Sequence, residues 1–188
     1  ERMTVHTDLD HRFRETAVRA GLLDAAYDVI ETEIGPMLAA TTDHGLARLL
    51  FDAEPETQLD DLARLAGPRV LRAPRALDQT RRELDEYFAG RRTAFDLTLD
   101  LRGLTAFTAR VLGELARVPY GATATYGDLA TRVGSPNASR AVGMVMNRNR
   151  IPIVLPCHRI VGSSGQLVGY AGGLERKEQL LRLEGALL

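Results

Sequence analysis

The spacing of hydrophobic positions changes period several times along the chain. Leu9, Phe13, Ala17 and Ala20 recur three or four residues apart, which predicts an amphipathic helix over Leu9–Asp24. Short apolar runs follow at Tyr27–Glu31, Met37–Thr41 and Ala47–Phe51 and predict strands, with Gly35-Pro36 and Asp43-His44-Gly45 as the turns between them. Helical spacing returns at Glu56–Leu65 and Ala76–Phe88. Phe95, Leu97, Leu99 and Leu101 then alternate with polar residues, the pattern of a half-buried strand. Up to about Leu101 the chain reads as a sheet packed on helices, and it offers no catalytic constellation.

Beyond Arg102-Gly103 the pattern becomes mostly helical. Phe107, Val111 and Leu115 form one stripe, ended by Pro119-Tyr120-Gly121. Thr125 with Asp128 three residues on is a capping-box signature opening a helix at Tyr126–Arg132. Gly134-Ser135-Pro136 breaks the chain, with Pro136 suited to a first helical position, and a second helix is predicted over Asn137–Met146. Two short helices joined by a Gly-containing turn make a helix-turn-helix pattern. The second helix is unusual in that Ala138, Ser139, Ala141 and Gly143 are small and Arg140 is the one long polar side chain of its first turns. Small residues let a broad partner approach closely, and that partner is either another helix of the same protein or a DNA surface. A last helix is predicted from Leu174 to about Gly185, with Lys177, Leu180, Leu181 and Glu184 on one face.

The fold class expected is therefore α+β. A small N-terminal sheet-plus-helix domain precedes a mostly helical C-terminal domain with a helix-turn-helix. The expected division is an N-terminal helical extension over residues 1–25, an α/β domain over 26–102, and the helix-turn-helix and active-site domain over 103–188. A length of 188 residues, 45% hydrophobic and 26% charged, suits one or two compact domains. The longest apolar run, Ile151–Cys157, is too short and too rich in proline for a membrane span, and the polar opening segment lacks a secretory pattern. The expected address is cytoplasmic.

A net charge of −1 does not advertise a nucleic-acid partner, but the charge is unevenly placed. Between Asn137 and Gly185, seven basic residues face three acids, and this basic segment permits phosphate binding. Arginine richness is general in this chain, whose only lysine is Lys177.

One cysteine rules out an internal disulfide and multi-cysteine zinc sites, and the four histidines show no metal-ligand spacing. A lone cysteine is usually a small buried hydrophobe. Cys157, however, lies in a rigid segment between Pro152, Pro156 and His158. A free thiol is only about 3% thiolate at pH 7, so a nucleophilic cysteine needs a base, and the base needs an orienting group. Cys157, His158 and Glu184 supply those three residue types, and a water can bridge the adjacent cysteine and histidine. A carboxylate on the apolar stripe of the last helix needs such a partner, since burying it alone is costly.

Leu155-Pro156-Cys157-His158-Arg159-Ile160 resembles the active-site motif of the O6-alkylguanine-DNA alkyltransferases, the methylated-DNA–protein-cysteine methyltransferases. Val118-Pro119-Tyr120-Gly121, Thr125-Tyr126-Gly127-Asp128-Leu129-Ala130, Arg140-Ala141-Val142-Gly143 and Gly169-Tyr170-Ala171-Gly172-Gly173-Leu174 resemble further blocks of that family in the same order. The resemblance runs from about Tyr27 to Gly185. It implies irreversible, single-turnover transfer of an alkyl group from O6-alkylguanine in duplex DNA to Cys157, with O4-alkylthymine left open as a second substrate. It implies no cofactor and no metal.

By the same resemblance, His158 draws off the thiol proton through water, Glu184 orients His158, and Asn149 braces the turn between the helix and the active site. Tyr126, Met146, Ile160, Tyr170 and Ala171 form the base pocket. Ala138, Arg140, Ala141 and Gly143 meet the DNA, with Arg140 entering the duplex as a finger that fills the gap left by the flipped nucleotide. Flipping is needed because O6 is out of reach of a buried nucleophile while the base is stacked. The partner implied is double-stranded DNA, bound by a monomer, with cooperative assembly left open.

The chain departs from the family pattern at several positions. Arg150 follows Asn149 where proline is frequent, Phe107-Thr108 replaces Phe-Gln, Leu112 stands at a position often tryptophan, and Ala171 replaces a frequent serine. The alternative carried forward is the same fold acting on a non-DNA or metabolite-derived alkyl adduct.

Overall fold

A computed structural model describes residues 16–17, 20–52 and 55–187. Most of the predicted N-terminal helix lies outside the described residues. Its predicted end does not hold, because the chain turns at Gly21 (φ 64°) and residues 21–24 are not helical.

The N-terminal half is a four-stranded sheet in the order β3-β2-β1-β4. Strands β1 (Ala25–Ile30), β2 (Met37–Thr42) and β3 (Gly45–Phe51) form an antiparallel meander, as their apolar runs and turn residues predict. Helix α1 (Pro55–Ala66) leads to β4 (Val70–Arg72), which pairs parallel to β1. Three residues give too little periodicity to show β4 in the sequence. A 3-10 turn at Pro74–Leu77 opens α2 (Asp78–Phe88), whose Leu84, Tyr87 and Phe88 turn inward.

Phe95–Leu101 corrects the sequence reading. The segment is extended and alternates in burial as expected from Phe95 to Leu99, but the pattern reverses at its end, where Asp100 is buried and Leu101 exposed, and it makes a single bridge, Leu46 to Leu99. Leu46 N–H donates to Thr98 O (2.8 Å) and Asp100 N–H to Leu46 O (2.9 Å), and the ladder stops there. The contact is close because Gly45 presents no Cβ to Thr98, whose carbonyl oxygen would lie 2.3 Å from one.

In the C-terminal half, Thr105 caps α3 (Ala106–Ala116) by accepting from Thr108 N–H at 3.2 Å. The expected capping box opens α4 (Tyr126–Arg132): Asp128 N–H donates to Thr125 Oγ1 (3.0 Å), and Thr125 N–H donates to Asp128 Oδ2 (2.8 Å). Helix α5 (Ser139–Asn147) starts two residues later than predicted. Pro136 sits in the connecting turn and not at a first helical position, because Ala138 N–H closes a turn onto Ser135 O (2.9 Å) before the helix begins. The last helix, α6 (Leu174–Leu183), ends at Glu184, and Gly185 leaves it at φ 72°. No helix among the described residues is long and apolar enough to cross a membrane.

Two short parallel strands, β5 (Ala124–Thr125) and β6 (Ile160–Val161), carry the functional geometry. One runs straight into α4 and the other straight out of the Cys157–Arg159 turn, so the pair ties the capped helix that begins at Tyr126 to the turn that carries Cys157. A continuous core joins the halves, from Met37, Leu49 and Tyr87 through Leu115 and Ile151 to Leu180. Leu49 N–H also donates to Arg150 O (2.8 Å), and Arg176 donates to Ile34 O (2.8 Å) and pairs with Asp52.

Candidate active site

The segment from Asn149 to Pro156 can be neither helix nor central strand, since Pro152 and Pro156 remove two backbone donors. One side chain braces it, beside the backbone bond from Leu155 N–H to Ile151 O (2.9 Å). Asn149 accepts from Ile151 N–H at Oδ1 (3.0 Å) and donates from Nδ2 to Leu155 O (2.8 Å), closing the loop on itself. Ile153 adopts φ 72°, a conformation that a β-branched residue enters only at a cost, and it is buried there. The loop ends in the 3-10 turn Cys157–Arg159, where Cys157 N–H donates to Leu155 O at 2.8 Å.

Cys157 is 3% exposed, but its surroundings are polar as well as apolar. Asn149 Nδ2 donates to Sγ at 3.2 Å. Burial raises the thiol to a pKa of about 11, against the opposing pull of the Asn149 hydrogen bond and the Lys177 charge. The sulfur is therefore a protonated thiol at rest. Its proton must leave as the new bond forms.

His158 and Glu184 meet as a fully buried pair, with Nε2 2.8 Å from Oε1. Burial is the largest influence on His158 and keeps it neutral, outweighing the attraction of Glu184. A neutral imidazole facing a carboxylate carries its proton on Nε2 and leaves Nδ1 as the acceptor. Nδ1 is buried with no hydrogen-bond partner among the described residues. A base is thus set with its lone pair free.

Glu184 stays ionised because of its neighbours. Burial raises its pKa, but hydrogen bonds from His158, Arg159 and Tyr87 overcome this and bring it to about 2. Arg159 grips the carboxylate with Nε to Oε2 (2.8 Å) and Nη2 to Oε1 (2.9 Å), and donates from Nη1 to Val118 O (2.6 Å). Tyr87 Oη donates to Oε1 (2.6 Å). The carboxylate is satisfied from all sides, so the imidazole it holds has little freedom to turn.

Arg159, Tyr87 and Lys177 are the residues that sequence reasoning missed as parts of the site. Lys177 is buried on α6 and donates from Nζ to Ile160 O (2.5 Å) and Val168 O (2.7 Å). Desolvation lowers its pKa to about 8, against the influence of Cys157. Its place on the apolar stripe beside Glu184 was visible in the sequence and was the available signal.

Around the sulfur stand the residues expected to hold a base. Tyr126 Oη donates toward Val168 O (3.3 Å), and burial followed by the nearness of Cys157 raises its phenol. Met146 is buried at the end of α5. Tyr170 packs its ring on Phe51 (centroids 5.8 Å apart), its buried hydroxyl without a partner among the described residues. Ala171 is exposed at the rim, and Ile160 O is taken up by Lys177. On α5 and at its N-cap, Arg140 is exposed while Ala138 (the cap), Ala141 and Gly143 are half-buried, with Gly143 next to the Tyr126 ring. Arg140 thus stands apart from the cluster around Cys157.

The family model for the 6-O-methylguanine DNA methyltransferase ribonuclease-like domain matches residues 25–101, and that for the DNA-binding domain of the same proteins matches residues 106–186. The methylated-DNA–protein-cysteine methyltransferase of Methanosarcina acetivorans is 40% identical over 167 residues, covering 85% of this chain and 98% of that protein. That of Mycobacterium leprae is 55% identical over 102 residues, covering 54% of this chain and 61% of that protein. The crystal structure of Mycobacterium tuberculosis OGT in complex with DNA superposes with a TM-score of 0.74 at 40% identity, covering 86% of this chain and 93% of that one. The O6-methylguanine-DNA methyltransferase of Pyrococcus kodakaraensis superposes with a TM-score of 0.60 at 26% identity, covering 86% of this chain and 99% of that one.

Proposed function

The chain belongs to the 6-O-methylguanine DNA methyltransferase family, and from this premise we propose that it repairs alkylated DNA by direct reversal, with Cys157 as the acceptor. The observation that carries the site assignment is the buried Glu184–His158 pair, whose Nδ1 has no hydrogen-bond partner among the described residues and whose histidine directly follows Cys157, the one cysteine of the sequence.

The thiol proton passes through a bridging water to His158 Nδ1, where Glu184 stabilises the imidazolium that forms. The sulfur lone pair attacks the alkyl carbon of O6-alkylguanine. The carbon–O6 bond breaks, its electron pair enters the purine, and guanine takes up a proton at a ring nitrogen. The product is a thioether, and the sequence holds no second thiol to displace the alkyl group, so each molecule reacts once. Asn149 fixes the sulfur against this path, and Lys177 supports the charge that develops on it.

Tyr126, Met146, Tyr170, Ala171 and the backbone at Ile160 enclose the extruded base. Helix α5 lies against the minor groove with Ala138, Ala141 and Gly143 allowing close approach, and Arg140 fills the space the base leaves. The protein acts on double-stranded DNA as a monomer in the cytoplasm, and needs no cofactor.

Intact-protein mass spectrometry after incubation with oligonucleotides carrying methylated or benzylated guanine tests this reading. The expected result is one added alkyl group per molecule, located on the Cys157 peptide and absent from Cys157→Ala. Catalytic turnover without a mass change would overturn it.

A further inference from the structure

Arg48 stands on β3, 6% exposed, with one hydrogen bond, from Nη1 to its neighbour Ala47 O (2.9 Å). No carboxylate among the described residues pairs with it. The acids close enough to act on it are engaged elsewhere: Asp61 by Arg64 (2.5 Å), and Asp100 by Arg102 (2.6 and 2.8 Å) and Thr42 (2.7 Å). Arg150 adds a like charge beside it, and burial followed by Arg150 lowers the Arg48 pKa. A buried guanidinium without a counter-ion is costly in general, and an adjacent cation adds to that.

The juxtaposition is built into the backbone. Leu49 N–H holds Arg150 O at 2.8 Å, so the turn after Asn149 is fixed against the strand that carries Arg48. Arg48 and Arg150 open with Arg148, Arg64 and Asp61 onto one cleft of about 560 Å³. Arg148 and Arg150 are exposed and, among the described residues, paired with no acid. Asn149 and Ala171 line the same cleft, so it borders directly on the sulfur site and on the rim of the base pocket.

We propose that Arg48, Arg148 and Arg150 form a phosphate-binding site that takes the DNA backbone beside the extruded nucleotide. The inference rests on the DNA-repair reading above and adds a phosphate contact separate from Arg140, which does not line this cleft. A phosphodiester offers oxygens to the open donors of Arg48 and offsets the repulsion between Arg48 and Arg150. Arg148 lies at the C-terminal end of α5, which carries the strand from the helix into the cleft.

Arg150→Ala, Arg148→Ala and Arg48→Met test the site by equilibrium binding to a duplex oligonucleotide between about 50 and 200 mM salt. Each is expected to weaken binding roughly three- to tenfold and to reduce the salt slope by about one phosphate contact. The rate with free O6-benzylguanine, which has no phosphate, is expected to stay unchanged. Arg48→Met is expected to keep or raise Tm, because it removes an unpaired buried charge. Wild-type affinity and slope in all three variants would overturn the proposal. If Arg48→Met does not fold, the two exposed positions decide it. Inorganic phosphate is titrated in parallel, and phosphate binding lost in Arg150→Ala with DNA binding intact would assign the cleft to a free anion and overturn the backbone contact. Failure of wild-type protein to take an alkyl group from duplex DNA would instead overturn the repair reading itself.

Discussion

The hydroxyl of Tyr87 lies 2.6 Å from Oε1 of Glu184, although 97 positions separate them in the sequence. One belongs to α2 in the sheet-bearing half and the other to the end of α6, so the orienting carboxylate is held partly by the half that carries no catalytic side chain. Tyr87→Phe removes one hydrogen bond and little volume. We expect a loss of about 1–2 kcal/mol in urea unfolding, and a transfer rate reduced by less than about tenfold. Unchanged stability would show that the bond contributes nothing net.

Glu184→Gln removes the charge that holds His158 and leaves Arg159 without its counter-ion. Breaking a buried pair in this way costs about 3 kcal/mol or more, and the transfer rate should fall with it. The folded-state pKa of Glu184 is depressed to about 2, so its stabilisation is present above the ordinary carboxylate value and lost as pH falls toward 2. The stability gap between wild type and Glu184→Gln should therefore shrink from pH 5 to pH 2. Urea midpoints across that range measure it, and a constant gap would remove the carboxylate's charge as the cause.

Lys177→Met keeps the bulk of the side chain but removes the cation that opposes the rise of the Cys157 pKa. Single-turnover reaction with O6-benzylguanine should slow about three- to thirtyfold at neutral pH, the range of a lost hydrogen bond to a charged group. Its alkaline limb should move to higher pH. A slower rate with an unmoved pH profile would reduce Lys177 to a packing role.

Ile151 and Ile153 are both buried, yet only Ile153 has positive φ. Glycine at either position loses a core side chain, but at 153 it also relieves backbone strain. Ile153→Gly should therefore be less destabilising than Ile151→Gly by about 1–2 kcal/mol. Equal losses in thermal or urea unfolding would mean that the loop is not strained.

Arg140 is exposed on α5 and distant in role from the buried cluster. Arg140→Ala should slow repair of alkylguanine in duplex DNA at least about tenfold while leaving reaction with free O6-benzylguanine within about twofold of wild type. Equal losses on the two substrates would argue against a finger that acts on the duplex.

Periodicity showed the meander, the capping box and the last helix, because each depends on neighbours within a few positions. It missed β4, which is too short to have a period, and it overextended Phe95–Leu101, where the alternation holds only to Leu99 and only Leu46 pairs with it. The same division holds at the site. Cys157 and His158 adjoin in sequence, and Glu184 betrayed itself as a carboxylate on an apolar stripe. Tyr87 and the grip of Arg159 on Glu184 depend on how the halves dock, and no local pattern encodes that. Thiol acidity was equally out of reach, since burial, which sets it, exists only once the chain has packed.

The sole lysine of the sequence is the buried Lys177, so the folded surface described here offers no side-chain amine. Apart from the chain's terminal amine, amine-reactive labels and lysine-directed modifying enzymes would find their target only when α6 parts from the Ile160 and Val168 carbonyls. Acylation at this one position therefore works as a clock for the opening of the reaction chamber, read on the native chain without any engineered probe.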